Sequence, residues 1–254
     1  MGERLIVVEH EAEAGLGSFS GWLEAAGVEI EVVRPYKGEP VPGRAPGGLL
    51  VLGGAAAAWD DEGYGWLPAT RDLLARAVDE GVPTLGVCLG AQLMTLACGG
   101  TVEHGAAGLE IGLGEIEPLP EAAADPLLSA LPTLSASDAL PSPDALPVPG
   151  LPSGGRVRAV QYHQDAMTTL PEGAVRLATG AMYPNQAYRI GDRAWAVQFH
   201  PEATPAIFAS WTAGGELPPE RAAELNAQVA AAEDELARTW RPFAEAFAAQ
   251  LTRS

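Results

Sequence analysis

"LGVCLGAQ", residues Leu85 to Gln92, decides how this sequence reads. An apolar run, "TLGV", stops at Cys88, and a helix-type pattern, "AQLMTLACGG", begins just after it. Cys88 therefore sits between a strand and a helix, with Gly86 and Gly90 two positions to either side. That spacing matches the G-x-S-x-G elbow with Cys in place of Ser. The turn is tight, so bulky side chains at the flanking positions would clash. The helix N-terminus brings free N–H groups, which favour an anion and can bind a developing oxyanion. The thiolate is the reactive form of cysteine. Buried structural cysteines are also common, so the pentapeptide alone leaves a nucleophile and a small turn residue both open.

Working outward, "RLIVVEH" reads as a buried strand and "SFSGWLEAAG" as a helix, with Ser18 or Ser20 as cap and Gly27 as stop. "VEIEVVR" alternates as a second strand. "GLLVL" is a third strand and ends at Gly53 and Gly54. "WLPATRDLLARAVDEG" is a helix, with Pro68 in its first turn and Gly81 past its end. Strands alternating with helices predict an α/β fold, a mostly parallel central sheet covered on both faces as a three-layer sandwich. Ligand sites in such sheets gather at the carboxyl ends of the strands. Gly53, Gly54 and Cys88 all lie at such ends.

Further along, "RVRAVQY", "AVRLA", "AYRI" and "AWAVQF" read as strands. "TPAIFASWTAGG" reads as a helix capped by Thr204 with Pro205 at its start. Residues 132–155 are rich in Pro, Ser, Ala and Gly and predict an irregular surface insertion. From Pro218 onward, Leu225, Val229, Leu236, Trp240, Phe243, Phe247 and Leu251 form one stripe of an amphipathic helix. A kink or break is expected at Pro242. The organisation expected is a domain over 1–215 and a helical extension over 216–254 packed on that domain.

The chain has 254 residues and a formal net charge of −18. That charge argues against nucleic acid or an anionic membrane as the main partner. No apolar run is long enough to span a bilayer, and the first residues lack the pattern of a signal peptide. Two cysteines make no disulfide framework and point to reduced thiols and a cytoplasmic location. No H-x-x-x-H or C-x-x-C spacing suggests a metal site.

A cysteine nucleophile needs a base. Among His10, His104, His163 and His200, the last is best placed, because it directly follows the strand "WAVQF" and should share the sheet's carboxyl edge. Glu202, two residues on, can hold the imidazole's orientation and tautomer. One oxyanion donor would be the Leu89 N–H. The other would come from the Gly53–Gly54 turn, where glycine admits a close backbone approach. Cys98 reads as structural, buried on the helix behind the elbow.

"GVCLGAQ", "VQFHPE" and "LVLGG" together resemble the class I, or triad, glutamine amidotransferases. "WDDEGYGWLPATRDLL", "GLEIGLGEIE", "DPLLSALP" and "YPNQAYRIGDRAWAVQFHPE" resemble free-standing members similar to the amidotransferase domain of GMP synthase. The resemblance covers most of the chain to about Gly215 and implies a flavodoxin-like class I amidotransferase fold. It implies Cys88 as nucleophile, His200 as general base and acid, and Glu202 as orienting carboxylate. It also implies Gly54, with Gly53 beside it, and Leu89 at the oxyanion hole. Gln92 matches a position that helps hold glutamine. "YHQDAM" matches a segment that usually reads His-Gly-Asp, placing His163, Gln164 and Asp165 near the substrate's amino-acid end, with Gln164 where glycine is usual. The implied reaction releases ammonia from the side-chain amide of glutamine through a γ-glutamyl thioester, with no cofactor and no metal. Neither a P-loop nor a pyrophosphate loop of the S-G-G-x-D-S type occurs in the sequence. The expected arrangement is a separate synthetase subunit that accepts the ammonia. The alternatives are a stand-alone hydrolase of γ-glutamyl amides or peptides, and a catalytically silent binding subunit, against which the intact Cys-His-Glu set argues.

Overall fold

The computed structural model describes residues 4–132, 155–214 and 217–252. The expected insertion thus lies almost wholly outside the described residues, as does the boundary expected at 215–216. Five strands form the parallel part of the main sheet: β1 (Arg4–Val8), β2 (Glu29–Val33), β3 (Leu49–Val51), β4 (Thr84–Val87) and β11 (Ala194–Val197). Their spatial order is β2-β1-β3-β4-β11, every neighbouring pair parallel. An antiparallel run continues it through β10 (Ala187–Ile190), β9 (Val175–Gly180), β6 (Glu110–Pro118) and β7 (Val157–His163). A two-stranded sheet pairs β5 (Thr101–His104) with β8 (Asp165–Thr169).

Alternation along the strands builds three layers. Leu5, Val7, Leu50, Leu85, Val87, Trp195 and Val197 share one core with Phe19 and Leu23 of α1 (Ser18–Ala25) and with Trp240, Phe243 and Phe247 of α6 (Glu233–Leu251). Ile6, Val8, Leu49, Val51, Ala194 and Ala196 share the other with Leu73 and Leu74 of α2 (Leu67–Asp79) and with Leu89, Leu93 and Met94 of α3 (Leu89–Ala97). Each large apolar side chain buried this way contributes about 1.5–3 kcal/mol. None of the described helices is long and apolar enough to cross a membrane.

Several expected boundaries hold for the reasons given. Gly27 and Gly81 take positive φ past α1 and α2. The Thr204 side chain accepts from the Ile207 N–H and caps α4 (Pro205–Thr212). Others need correction. Gly17, not Ser18 or Ser20, is the N-cap of α1, and no side chain caps it. The C-terminal stripe does not break at Pro242, which lies inside α6. It breaks at Ala232, between α5 (Pro219–Ala231) and α6, where Leu225 and Val229 on one side and Leu236 and Trp240 on the other all reach the same core. Proline costs a helix one N–H bond, and the buried face of α6 outweighs it.

Candidate active site

The turn after β4 shows why glycine flanks Cys88. A Cβ at Gly86 would lie 2.6 Å from the Gly90 carbonyl oxygen, and one at Gly90 would lie 2.0 Å from the Val51 carbonyl oxygen. Both contacts are with backbone and cannot yield. Cys88 itself has φ 50° and ψ −107°, the only non-glycine residue with positive φ among those described. It precedes α3, of which Leu89 is the first residue. Its N–H donates to the Val197 carbonyl at 2.8 Å, which ties the elbow to the end of β11.

Because β4 and β11 are parallel neighbours, His200 emerges next to Cys88. The His200 N–H donates to the Val160 carbonyl at 2.8 Å, so β7 fixes its backbone. The His200 Nδ1–H donates to Glu202 Oε1 at 2.7 Å, and both residues are buried. This leaves Nε2 for the Cys88 side chain, with which His200 also hydrogen-bonds. Burial opposes the charged imidazolium. The negative charges of Glu202 and Cys88 and the hydrogen bonds to them outweigh it and raise His200 to about 10. The Trp211 ring lies 4.5 Å from the imidazole, centroid to centroid, and covers it.

Glu202 is positioned from α1. The Ser18 N–H donates to the Glu202 carbonyl at 2.9 Å, and a Cβ at Gly17 would lie 2.1 Å from that oxygen. Gly17 takes φ 49°, so glycine answers both the conformation and the close approach. Nothing in the residue pattern around Gly17 marks this contact, which is why sequence reasoning missed it.

A cavity of about 250 Å³ opens onto the pair. It lies beyond the carboxyl ends of the paired strands β1 and β3, whose onward connections run to helices on opposite faces, the switch point at which ligand crevices form in such sheets. The loop after β1 supplies Glu11, Glu13 and Ala14 to its wall, the turn after β3 supplies Gly54 and Ala55, and α4 supplies Trp211. Cys88, Tyr162 and His200 complete the inner end. Gly53 packs behind: a Cβ there would lie 2.8 Å from His200 Cε1. Burial raises the Glu11 carboxyl, and Glu13 adds to the shift, while the Ala55 backbone N–H and His200 draw it back.

The remaining expected residues come together elsewhere. Gln92 Nε2 donates to the Asp165 carbonyl at 3.0 Å and lies 3.4 Å from Gln198 Oε1. The His163 Nδ1–H donates to the same Asp165 carbonyl at 3.0 Å, while its Nε2 pairs with Glu110 Oε2 at 2.9 Å. The Gln164 carbonyl accepts from the Gly105 N–H, and the Asp165 carboxylate pairs with His104 Nδ1 at 3.0 Å. None of Gln92, His163, Gln164 and Asp165 lines the cavity; Tyr162, from the same segment, does. Cys98 is half-buried rather than buried and caps the end of α3. Burial, with the charge of Asp79, pushes its thiol up to about 11. His10, for which the sequence suggested no role, accepts from Trp66 Nε1 at 3.0 Å, and burial pushes it down to about 4. Among the described residues, no group of three His, Cys, Asp or Glu side chains is arranged to hold a metal ion.

Known proteins resemble the chain in sequence and in fold. Gamma-glutamyl peptidase 4 of Arabidopsis thaliana is 29% identical over 155 residues, covering 61% of this chain and 53% of that protein. The glutamine-hydrolysing GMP synthase of Wolinella succinogenes is 32% identical over 188 residues, covering 71% of this chain and 29% of that protein. The chain thus spans about half the length of the first and less than a third of the second. The crystal structure of a glutamine amidotransferase from Thermotoga maritima shares the fold over the whole of both chains, with TM-score 0.77 and 22% identity. A glutamine amidotransferase from Methylobacillus flagellatus matches 99% of this chain and 94% of its own, with TM-score 0.76 and 24% identity. The family model for class-I glutamine amidotransferases matches residues 22–210. With three quarters of its length under that model, the chain belongs to the class I glutamine amidotransferases, an enzyme family that uses a cysteine nucleophile.

Proposed function

We propose that the chain catalyses the glutaminase half-reaction, with Cys88 as nucleophile, His200 as general base and acid, and Glu202 as the carboxylate that orients it. The observation that carries this reading is the alignment of the three at one sheet edge: Nδ1 of His200 is committed to Glu202 at 2.7 Å, and the other side of the ring meets the sulfur. Cys88 Sγ attacks the side-chain amide carbon of glutamine, and the carbonyl electron pair moves onto oxygen. Backbone N–H groups at Leu89 and at the Gly53–Gly54 turn meet that oxyanion. As the tetrahedral species collapses, the C–N bond breaks and the proton held by His200 leaves with ammonia. Water then adds to the γ-glutamyl thioester with its proton passing to His200, the C–S bond breaks, and glutamate departs. Gln92 and the His163–Asp165 segment bind one another, so they act on substrate by holding the backbone beside Tyr162. A separate synthetase subunit consumes the ammonia in this reading, which the relation to GMP synthase supports.

The test is glutamate release from glutamine, with Cys88→Ala as the control. Turnover that survives the substitution refutes the reading. A second reading, hydrolysis of a larger γ-glutamyl amide or peptide, is favoured by the cavity, which runs from Cys88 past Trp211 to Glu11 and Glu13, and by the relation to a gamma-glutamyl peptidase. A panel of γ-glutamyl amides assayed against glutamine separates the two through their kcat/KM values.

A further inference from the structure

Gln198 follows β11 and is buried, 1% exposed. Its backbone N–H is already used, donating to the Gln186 carbonyl at 2.8 Å. Its side-chain amide turns toward the elbow. Nε2 lies 3.7 Å from Cys88 Sγ as a donor, and Oε1 lies 3.4 Å from Gln92 Nε2 as an acceptor. Gln92 in turn donates to the Asp165 carbonyl, which the His163–Glu110 pair also holds. A continuous chain of polar groups, buried at the sulfur and half-buried at its far end, therefore runs from Cys88 to Glu110. Burying an amide is costly unless it is hydrogen-bonded, and Leu or Met would fill the same space without that cost. Gln92 uses the Oε1 acceptor, and the group that meets the Nε2 donor is the sulfur.

We propose that Gln198 is a further catalytic residue, whose side-chain N–H holds the Cys88 sulfur as a thiolate while Gln92 fixes the amide from behind. The inference rests on Cys88 being the nucleophile. His200 serves the sulfur from the cavity side and Gln198 from the protein side, so the attacking electron pair stays aimed at the substrate. The same N–H meets the sulfur again at deacylation: water adds to the thioester carbon with its proton passing to His200, the C–S bond of that adduct breaks with its electron pair returning to Sγ, and the acyl group leaves as glutamate. In the thioester itself the sulfur carries no charge, so the contact is strongest in the states before attack and after release.

Two substitutions test this in the full-length protein. Gln198→Leu removes the donor and keeps the bulk. Gln198→Glu keeps the size and the acceptor for Gln92, and replaces the donor with an acceptor. The readouts are the pH dependence of Cys88 alkylation by iodoacetamide, followed by peptide mass mapping, and the steady-state constants for glutamine. For Gln198→Leu the alkylation midpoint should move at least half a unit to higher pH, and kcat should fall about tenfold with KM within twofold. For Gln198→Glu, alkylation at pH 7 should slow at least tenfold. Either variant serves if the other fails to fold, as judged by a cooperative thermal transition. An unchanged alkylation profile in a folded variant overturns the inference. If Cys88→Ala is inactive while the Gln198 variants match the wild type, the inference falls and the glutaminase reading stands. If Cys88→Ala remains active, both fall.

Discussion

Cys88 holds a conformation that glycine would hold more easily, and the consequence is measurable. Its φ of 50° and ψ of −107° match the first central position of a type II′ turn, a region dominated by glycine. Strain of this kind costs about 1–3 kcal/mol, and the mirror-image ψ here places it at about 2–3. Cys88→Ala and Cys88→Gly remove the sulfur equally, so its contacts with Tyr162 and Gln198 cancel in the comparison. Alanine keeps the strain and glycine relieves it. Against glycine stand its larger loss of chain entropy, about 0.5–1 kcal/mol, and the loss of one buried methyl, about 0.8 kcal/mol. The balance favours the glycine variant by about 1 kcal/mol, the reverse of the order at an ordinary site. For a chain of this size that is a melting temperature about 2–4 °C higher. Differential scanning calorimetry of the two inactive variants reads it directly. If the alanine variant melts at or above the glycine variant, the elbow is not strained and the reasoning fails.

The remaining expectations follow from contacts already described. Gly90→Ala should destabilise by about 3 kcal/mol in urea unfolding, because the new Cβ meets Val51 backbone at 2.0 Å. Gly21→Ala, inside α1 with nothing within 4 Å of the new atom, should stabilise by about 0.5–1 kcal/mol in the same measurement. Glu202→Gln removes the charge that raises His200, and glutamate release should fall at least about 100-fold, roughly 3 kcal/mol of barrier. Because His200 is raised to about 10 in the fold, its protonation stabilises fully below its ordinary value of 6.5 and the contribution is lost as pH rises through about 10. Unfolding free energies from pH 6 to 10 should therefore fall more steeply for the wild type than for His200→Asn. His10 runs the other way: lowered to about 4, it favours the fold above 6.5, and that contribution is lost as pH falls toward 4. His10→Gln should flatten the acid limb.

The parallel half of the fold was legible because β1, β3, β4 and β11 carry apolar runs, β2 alternates, and the helices after β1 and β3 stop at glycines, Gly27 and Gly81. The antiparallel half was only partly so. β6 escaped the pattern reading because it alternates Gly and Glu with its apolar residues, and Gly112 takes φ 102° within it. β5 and β8 are short and pair only with each other, so half their residues face outward and no buried run marks them. That Cys88, His200 and Glu202 meet at one edge was readable because two compact motifs end on neighbouring strands. The positions of Gln92 and the 163–165 segment were readable as a group but not as an internal network, because which partner takes each amide depends on packing across β7 and β11. Gln198 sat within the quoted "VQFHPE" and drew no attention, since a glutamine beside a strand's end carries no signal until its partner is visible.

The sites where local preference yields are not scattered. Cys88 bears the positive φ at the end of β4. Glu202 Oε2 is buried without a hydrogen-bond partner among the described residues, just beyond β11, and His10 Nε2 is buried in the same state just beyond β1. An orphaned polar atom costs about 1–3 kcal/mol, and neither would be retained for stability alone. At Glu202 the cost has a visible return, because its other oxygen holds His200, and a carboxylate with every lone pair committed elsewhere would raise that imidazole less. The His10 ring is held by Trp66, and the residue packs against Gly54, where a Cβ would come within 2.9 Å of the His10 Cβ and 3.7 Å of its ring Cγ. It therefore backs the turn proposed to meet the oxyanion with a rigid, neutral surface, and a protonated imidazole would be excluded there by the burial that lowers its pKa. Strain, an orphaned carboxylate oxygen and an uncharged histidine converge on the carboxyl edge of the parallel strands. The opposite edge, where the chain needs only to fold, is held by plain helix stops such as Gly27 and Gly81.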